Sequence, residues 1–242
     1  MIINGGRPTY GEAIGIMVLD TQFPRLPGDN ANATTFDFPV RYKVVKGASP
    51  RRVVIEQDPE LLQPFIEAAE ELESDGVRAI TTSCGFLTLF QQQLASHVDI
   101  PLFTSSLLQV PIVHRMLRPD QKIGILTANS EHLTSEVLDA VGASNVPYAV
   151  AGAQHTPAFY NVFVMNGDHI NVEEAEEGVV EMARCLLETH PDVGAIVCEG
   201  TNFSTFGPAV QQATSLPFFD IVTMTRWVFN AVVKQRVMGG YM

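Results

Sequence analysis

The stretch Thr81-Thr82-Ser83-Cys84-Gly85-Phe86 decides the fold, because it returns in altered form as Val197-Cys198-Glu199-Gly200-Thr201-Asn202. The two stretches align without a gap, and Gly200 takes the place of Cys84 at a spacing of 116 residues (200 − 84 = 116). Six further identities keep the same spacing: Val77 with Val193, Ala79 with Ala195, Ile80 with Ile196, Phe90 with Phe206, Pro101 with Pro217, and Phe103 with Phe219. The chain therefore looks like a duplication in which one half carries a thiol and the other half does not.

Short apolar runs alternate with helical patterns in both halves. Ile14–Leu19 and Val77–Thr81 are typical of buried parallel strands, and Asp58 with the following proline opens a predicted helix that runs to about Ser74. In the second half Lys122–Thr127 and Val193–Cys198 are the matching strands. Strands separated by helices indicate βαβ units and parallel sheets.

These patterns predict an α/β fold with two pseudo-symmetric lobes, each a parallel sheet flanked by helices. We expect the first lobe, which carries Cys84, to comprise residues 1–112 plus 222–242, because the last helix returns to it. The second lobe would comprise residues 113–221 and carry Gly200. Ligands of open parallel sheets bind beyond the carboxyl ends of the strands, so the active site is expected in the cleft between the lobes.

Composition excludes several classes of function. The net charge is −12 and no basic run exceeds two residues, so neither nucleic acid nor an anionic membrane is an expected partner. No apolar run approaches 18 residues, and residues 1–10 contain no apolar signal segment. Three cysteines, an odd number, favour reduced thiols and a cytoplasmic location.

The two repeated loops carry the chemistry. A thiol just ahead of a helix is favoured as the thiolate, and hydroxyls and amides nearby can hold an anion. The candidates for this cradle are Thr82, Ser83, Thr127, Thr201 and Asn202. These groups would bind an anion without arginine, and because the six histidines show no metal-ligand spacing, no metal is expected.

With these motifs the chain resembles the aspartate/glutamate racemase superfamily, close to the branch of hydantoin racemases and arylmalonate decarboxylases. The resemblance covers nearly the whole chain and rests on four segments: Leu19-Asp20-Thr21-Gln22-Phe23-Pro24, Thr82-Ser83-Cys84-Gly85-Phe86, Gly124-Ile125-Leu126-Thr127-Ala128, and Glu199-Gly200-Thr201-Asn202. Racemases of this superfamily use no cofactor and place one cysteine from each lobe on opposite faces of the substrate's acidic carbon. The resemblance implies that Cys84 is the first of these cysteines and that Gly200 stands where the second is missing.

The resemblance implies a racemase that acts on an amino acid, a hydantoin or a related small carboxylate or cyclic amide, with a homo-oligomer as the expected assembly. Two-base racemisation needs a proton-transfer group on each face, and this chain has a thiol on one face only. A single-cysteine decarboxylase of a malonate-type acid and a catalytically silent binding protein therefore stay open as alternatives. Gly200 could be natural or engineered, and Gly200→Cys is expected to create racemase activity.

Other residues complete the predicted site. The substrate-binding candidates, besides Cys84 and Gly200, are Asp20, Gln22, Tyr42, Ser83, Gly85, Phe86, Thr127, Glu199, Thr201 and Asn202. The substrate's side-chain pocket is expected to draw on Tyr10–Tyr42 and His155–Asn166. Cys198 and Cys185 are both interpreted as core thiols.

Overall fold

A computed structural model describes residues 5–235 and contains two four-stranded parallel sheets. The first sheet has the strand order β2-β1-β3-β4 and the second has the order β6-β5-β7-β8. All pairings within both sheets are parallel. The predicted α/β class with two sheets flanked by helices is therefore confirmed.

The elements of the first half follow one another as strands and short helices. The strands are β1 (Ile14–Leu19), β2 (Val40–Val45), β3 (Ala79–Thr82) and β4 (Leu102–Phe103). The α-helices are α1 (Leu62–Asp75), α2 (Gln91–Ala95) and α3 (Val110–His114). Shorter helical turns are a π-helix at Arg51–Ile55 and 3-10 helices at Pro59–Leu61, Gly85–Phe90 and Ser106–Gln109.

The second half has the same plan. Its strands are β5 (Lys122–Thr127), β6 (Tyr148–Gly152), β7 (Val193–Cys198) and β8 (Phe218–Phe219). Its α-helices are α4 (Ser135–Ala140), α5 (Pro157–Phe163), α6 (Val172–Thr189), α7 (Gly207–Thr214) and α8 (Ile221–Val232). Its 3-10 helices are Ala153–His155 and Thr201–Phe206.

The repeat read from the sequence is also a repeat of structure. The 3-10 helix Gly85–Phe90 corresponds to Thr201–Phe206 at a spacing of 116 residues (85 + 116 = 201), and β4 corresponds to β8 at the same spacing (102 + 116 = 218). The inner strands keep a spacing of their own, with Gly15 of β1 matching Gly124 of β5 (124 − 15 = 109). Each motif loop therefore leaves the carboxyl end of its strand through an extended residue, Cys84 or Gly200, that precedes a 3-10 helix of six residues.

Apolar side chains cover both faces of each sheet. One face of the first sheet packs against α1, and the other packs against α8, where Ile221 and Met224 share a core with Ile14 and Ile16. In the second sheet α6 covers one face, with Ala175, Val179 and Ala183 in the core, and α4 covers the other. The boundaries proposed for the lobes stay a prediction, and their outermost parts, residues 1–4 and 236–242, lie outside the described residues.

Two elements were not expected from the sequence. The edge strand β2 was missed because Arg41 and Lys43 interrupt its apolar residues, as is common where a strand has a neighbour on one side only. Helix α5 was missed because Pro157 and a short length weaken its helical pattern. The helices expected directly after the two motif loops begin instead as 3-10 turns. The last helix described, α8, ends at Val232.

Within residues 5–235, none of the helices has the length and hydropathy needed to cross a membrane.

Candidate active site between the two motif loops

The two motif loops meet at a small cavity of about 30 Å³, which is the volume of about one water molecule. The residues predicted for the site that line it are Ser83, Cys84, Gly85, Phe86, Glu199, Gly200, Thr201 and Asn202. The others that line it are Leu19, Phe23, Pro50, Val54, Ala128, Phe159, Phe163 and Val164. The cavity is therefore a mainly apolar chamber with a polar wall built from the two repeated loops.

Cys84 is a buried thiol at the end of β3. Burial, followed by the negative charge of Glu199, raises the pKa of Cys84 to about 12. The backbone N–H groups of Phe86 and Leu87, with the charge of Arg25, act in the opposite direction and favour the thiolate. Thr82 fixes the loop, because its Oγ1 accepts a hydrogen bond from the Cys84 N–H at 3.3 Å. The thiol would thus act as a base only once a nearby positive charge lowers its pKa.

Glu199 is almost completely buried opposite this thiol. Its Oε2 accepts hydrogen bonds from Thr127 Oγ1 at 2.9 Å and from the Ala128 N–H at 3.2 Å. Oε1 has no hydrogen-bond partner within the part of the chain that the structure describes. Burial raises the pKa of Glu199 to about 7, against the two hydrogen bonds, which lower it. The carboxyl therefore changes its charge near neutral pH.

The duplication shows which part of Glu199 is structural. Its counterpart in the first half is Ser83 (199 − 83 = 116), whose Oγ accepts a hydrogen bond from the Leu19 N–H at 3.0 Å. Leu19 corresponds to Ala128 at the spacing of the inner strands (128 − 19 = 109), so one serine oxygen and one glutamate oxygen hold equivalent backbone groups. Oε1 of Glu199 has no equivalent in the first half and is not needed for this brace.

Gly85 lets the two loops approach closely. A β-carbon at this position would collide with the carbonyl oxygen and with Oε1 of Glu199. A side chain other than hydrogen would therefore push the second loop away from the thiol. The close approach explains how the charge of Glu199 reaches Cys84.

Gly200 has a neighbour that the sequence did not reveal. Its φ of −74° is open to any residue, so the backbone does not require glycine. A β-carbon would instead lie 2.9 Å from Cδ2 of Phe203, whose ring is fully buried and stacks on Phe159 at 4.3 Å between centroids. The position of the missing cysteine is thus partly occupied by an aromatic ring of the same loop.

Hydrogen bonds hold the two loops together. Thr201 Oγ1 donates to the carbonyl oxygen of Ser83 at 2.8 Å, and Asn202 Nδ2 donates to Asp29 at 2.6 Å. Asp29 is also paired with Arg25, and both side chains are largely buried. Arg25 does not line the cavity, but its charge acts on the thiol and lowers the pKa of Cys84.

Four predicted site residues do not line the cavity. Asp20 accepts a hydrogen bond from the Gly47 N–H, which lowers its pKa, and thus braces a turn. Gln22 bonds the side chain and backbone of Asn166, and Tyr42 donates from its hydroxyl to the carbonyl of Asn30. Thr127 acts through its bond to Glu199. Asp20 and Gln22 follow the end of β1, whereas Tyr42 lies inside β2 and Thr127 is the last residue of β5. All four side chains are engaged in hydrogen bonds with their own surroundings.

Three phenylalanines outside the motif loops line the cavity and were missed as individual residues. Phe23 lies in the segment after β1, and its ring meets Phe163 of α5 edge to face at 5.1 Å. Phe159 and Phe163 lie four residues apart on one side of α5. The sequence predicted that His155–Asn166 contributes to the substrate pocket, and this range contains Phe159 and Phe163. Their spacing of four residues could have identified them, because aromatic residues at this helical spacing form one buried face.

The other two cysteines have different surroundings. Cys198 is fully buried in the core of the second sheet and corresponds to Thr82 (198 − 82 = 116), so it stays at the strand and away from the cleft. Cys185 was expected in the core but is exposed on α6, where the helix buries Ala183 and Leu186 instead. Cys185 lines an open groove of about 610 Å³ between α6 and β6, larger than the cavity but remote from Cys84.

The site is suited to proton transfer at carbon. One thiol and one carboxyl, both with raised pKa values, face an apolar chamber that would exclude water from a bound substrate. In the described range 5–235, no three His, Cys, Asp or Glu side chains come together in a group that could hold a metal ion. The proton-transfer groups in reach of a substrate are thus Cys84 and Glu199.

Solved structures with the same fold include arylmalonate decarboxylase and aspartate racemase. A glycine-to-cysteine mutant of arylmalonate decarboxylase superposes with a TM-score of 0.62 at 15% identity and covers 94% of this chain and 97% of its own. Aspartate racemase from Picrophilus torridus gives 0.56 at 12% identity and covers 92% and 94%. These likenesses confirm the fold of the Asp/Glu racemase superfamily. No protein-family model matches the chain.

Relatives in sequence carry a different name. A protein from Durusdinium sp. clade D named dimethylsulfoniopropionate lyase is 32% identical over 94% of this chain and 77% of its own length. Dimethylsulfoniopropionate lyase 7 from Emiliania huxleyi is 31% identical over 87% of this chain, which spans 64% of that relative. The predicted racemase activity is therefore wrong, because these names point to an enzyme of the lyase class. The decarboxylase that the sequence analysis kept as an alternative belongs to that class. The chain belongs to the dimethylsulfoniopropionate lyase family.

Proposed function

We propose that this enzyme is a lyase that removes a proton from the carbon next to a substrate carboxylate and expels a leaving group from the neighbouring carbon. Dimethylsulfoniopropionate, named in the relatives, is the first substrate to test. The observation that carries the proposal is the single thiol in the cavity lining: the first loop contributes Cys84, and the second loop contributes Gly200 at the corresponding position. Elimination needs one base at the acidic carbon, whereas racemisation needs two groups on opposite faces.

The proposed step balances in atoms and charge. The thiolate of Cys84 takes the proton from the α-carbon, the electron pair of that C–H bond forms the carbon–carbon double bond, and the bond from the β-carbon to sulfur breaks. Dimethyl sulfide leaves with the bonding pair as a neutral molecule, and acrylate keeps the carboxylate. The thiol keeps this proton until another sulfonium substrate binds and lowers the pKa of Cys84, and the proton then passes to solvent before the next turnover.

The polar wall would hold the carboxylate. Ser83 and Asn202 supply a hydroxyl and an amide group beside the thiol, whereas the Thr201 hydroxyl already donates its proton to the Ser83 carbonyl. Arg25 adds positive charge at longer range, although its partner Asp29 offsets much of it. A carboxylate placed here would bring its α-carbon to Cys84, and the apolar rings would surround the rest of the substrate.

A charged leaving group would also help to create the base. Burial keeps the thiol protonated, because it raises the pKa of Cys84 to about 12. A sulfonium cation close to the sulfur favours the thiolate through direct electrostatic attraction. The enzyme would thus generate its base mainly when the substrate is bound.

Substrate entry requires the cavity to widen, because about 30 Å³ holds one water molecule and dimethylsulfoniopropionate is larger. The segment after β1 and the end of α5 close the chamber, and the hydrogen bonds between Gln22 and Asn166 join them. We propose that these segments separate to admit the substrate.

The test is product formation from dimethylsulfoniopropionate by the purified chain. Dimethyl sulfide is followed by gas chromatography and acrylate by proton NMR, with phenylmalonate and the enantiomers of aspartate and glutamate as parallel substrates. The proposal expects equal amounts of the two products from the first substrate and no racemisation of the amino acids. Decarboxylation of phenylmalonate without elimination would overturn it, as would the absence of any turnover.

A further inference from the structure

One carboxylate oxygen of Glu199, Oε1, makes no hydrogen bond that stabilises the fold within the described residues. Glu199 is 1% exposed, and its Oε2 alone does what Ser83 Oγ does in the first half. Oε1 lies against Gly85 in the cavity wall without a hydrogen-bond partner in the described chain. A buried carboxylate oxygen without a partner costs free energy, so its retention indicates a partner that arrives with the substrate.

The surroundings of this oxygen narrow the chemistry of that partner. The lining includes the rings of Phe23, Phe86, Phe159 and Phe163, and no lysine, arginine or histidine among residues 5–235 lines the cavity. Aromatic faces attract cations, and quaternary ammonium groups are bound by such rings in proteins. A carboxylate together with several rings is a suitable environment for a cation whose charge is spread over methyl groups.

A primary ammonium group fits this chamber poorly. It carries three N–H donors and needs an acceptor for each when it is buried. The free oxygen of Glu199 satisfies one of them and the phenylalanine rings satisfy none, while the side chains of Ser83 and Asn202 would be engaged by the substrate carboxylate. A sulfonium or quaternary ammonium group has no N–H and loses no hydrogen bond on entering.

We propose that Glu199 is a specificity-determining residue that, with the surrounding phenylalanine rings, selects substrates with a sulfonium or quaternary ammonium group two carbons from the carboxylate. This inference rests on the proposed function, because the elimination places the cation on the leaving group. The contact acts on binding: the charge disappears as dimethyl sulfide leaves, so Glu199 stabilises the bound substrate more than the transition state. Its loss should therefore raise KM more than it lowers kcat.

The decisive measurement compares two ligands of equal shape. 3-(Trimethylammonio)propionate and 4,4-dimethylpentanoate have the same carboxylate and the same three methyl groups and differ only in the central charge. Isothermal titration calorimetry at pH 8 is expected to show about tenfold tighter binding of the cation by the wild-type chain. Unmethylated 3-aminopropionate should bind more weakly than the trimethylated ligand.

Two variants localise the effect. Glu199→Gln keeps the shape and the bonds from Thr127 and Ala128 but removes the charge, so the preference for the cation should fall to about twofold or less. Glu136→Gln, on the exposed surface of α4, is the matched control and should keep the wild-type preference. With dimethylsulfoniopropionate, Glu199→Gln should raise KM at least about fivefold and change kcat less.

Equal affinity of the wild-type chain for the two isosteric ligands would overturn the inference, and so would binding of neither. A preference that Glu199→Gln leaves intact would show that the rings alone select the cation and would also overturn it. Cleavage of dimethylsulfoniopropionate without any charge preference would refute this inference and leave the proposed function standing. A preference for the cationic ligand without cleavage of dimethylsulfoniopropionate would refute the proposed function and leave the role of Glu199 in cation binding standing.

Discussion

The loops after β3 and β7 have nearly the same backbone and different chemistry. Each leaves its strand in extended conformation, reaches Cys84 or Gly200, and turns into a 3-10 helix of six residues. The first loop places a thiol in the cavity and keeps a serine as a brace. The second replaces that serine by Glu199, whose spare oxygen points to the cleft wall, and fills the position of the thiol with the ring of Phe203.

This difference teaches how a symmetric scaffold can serve an asymmetric reaction. Two equal thiols suit a reaction that exchanges a proton between opposite faces of one carbon. One thiol and one carboxylate suit a reaction in which one side removes a proton and the other side holds the group that departs. All six aligned residues of the two loops differ, yet the hydrogen bonds from the Leu19 and Ala128 N–H groups tie both loops to equivalent strand ends.

The strongest test of this comparison removes the thiol. Cys84→Ser should lower kcat for elimination by about 10²–10⁴-fold, because a buried hydroxyl does not ionise at neutral pH and cannot act as the base. The measurement is steady-state release of dimethyl sulfide. Substrate binding by calorimetry should change much less.

The matched control for that variant is Cys185→Ser, which alters an exposed thiol on α6 and should leave kcat unchanged. If Cys84→Ser is as active as Cys185→Ser, the first loop does not carry the chemistry, and the contrast between the loops loses its mechanistic meaning.

A second test, Glu199→Gln, removes the charge of the second loop, so that both Ser83 and its counterpart are neutral. Because burial raises the pKa of Glu199 from 4.5 to about 7, the folded chain holds this proton more tightly than the unfolded chain. The contribution of Glu199 to the free energy of unfolding therefore falls as the pH rises from about 4.5 to about 7. Once the carboxyl is fully ionised in the folded chain, the loss is on the order of 3 kcal/mol. Glu199→Gln should be stabilising relative to wild type at pH 8 by that order and close to neutral at pH 4.

Urea unfolding of both chains at the two pH values measures this difference, and all other titrating groups cancel in the comparison. A difference between variant and wild type that stays constant from pH 4 to pH 8 would mean that Glu199 titrates normally in the folded chain. The carboxyl would then not be the buried group that the structure describes.

A third test restores the symmetry of the two loops. From the sequence alone, Gly200→Cys was expected to create racemase activity. The ring of Phe203 changes that expectation, because the new β-carbon would lie 2.9 Å from Cδ2 of this ring and the ring is fixed against Phe159. We expect Gly200→Cys to cost about 1–3 kcal/mol of unfolding free energy and to leave aspartate and glutamate unracemised.

Gly200→Ala separates the effect of the β-carbon from the effect of the thiol, since it adds the β-carbon without the sulfur. It should lower the unfolding free energy by nearly the same amount as Gly200→Cys. Chiral chromatography of the amino acids and urea unfolding are the readouts. Racemisation by a Gly200→Cys chain of unchanged stability would show that the second loop can accept a thiol after all.

The smallest effect concerns the hydrogen bond that joins the loops. Thr201→Val removes the donor to the Ser83 carbonyl at 2.8 Å, which should cost about 1 kcal/mol. Thr189→Val, which removes an exposed bond within α6, is the control and should cost less than about 0.5 kcal/mol. Equal costs would indicate that the contact between the loops contributes no more than an ordinary surface bond.

Much of the fold could be predicted because the duplication shows, from the sequence alone, which segments of the two halves correspond. The buried strands β1, β3, β5 and β7 are apolar runs, and the fixed spacing of 116 residues pairs the halves without any structural knowledge. The edge strand β2 and helix α5 were missed, since their residues alternate or are too few to show a period. Of the candidate site, the residues of the two motifs line the cavity, because consecutive residues at a strand end must lie near one another.

The sequence by itself determined the α/β class, the two repeated loops and the asymmetry of one thiol facing one glycine. The tertiary structure decided what that asymmetry means. It placed Phe203 beside Gly200, the rings of Phe23, Phe159 and Phe163 around the cavity, and Glu199 with one braced and one free oxygen. The physical reason is that periodicity and motif spacing report contacts between neighbours in sequence, whereas burial, a raised pKa and an unpaired oxygen arise only where distant segments meet.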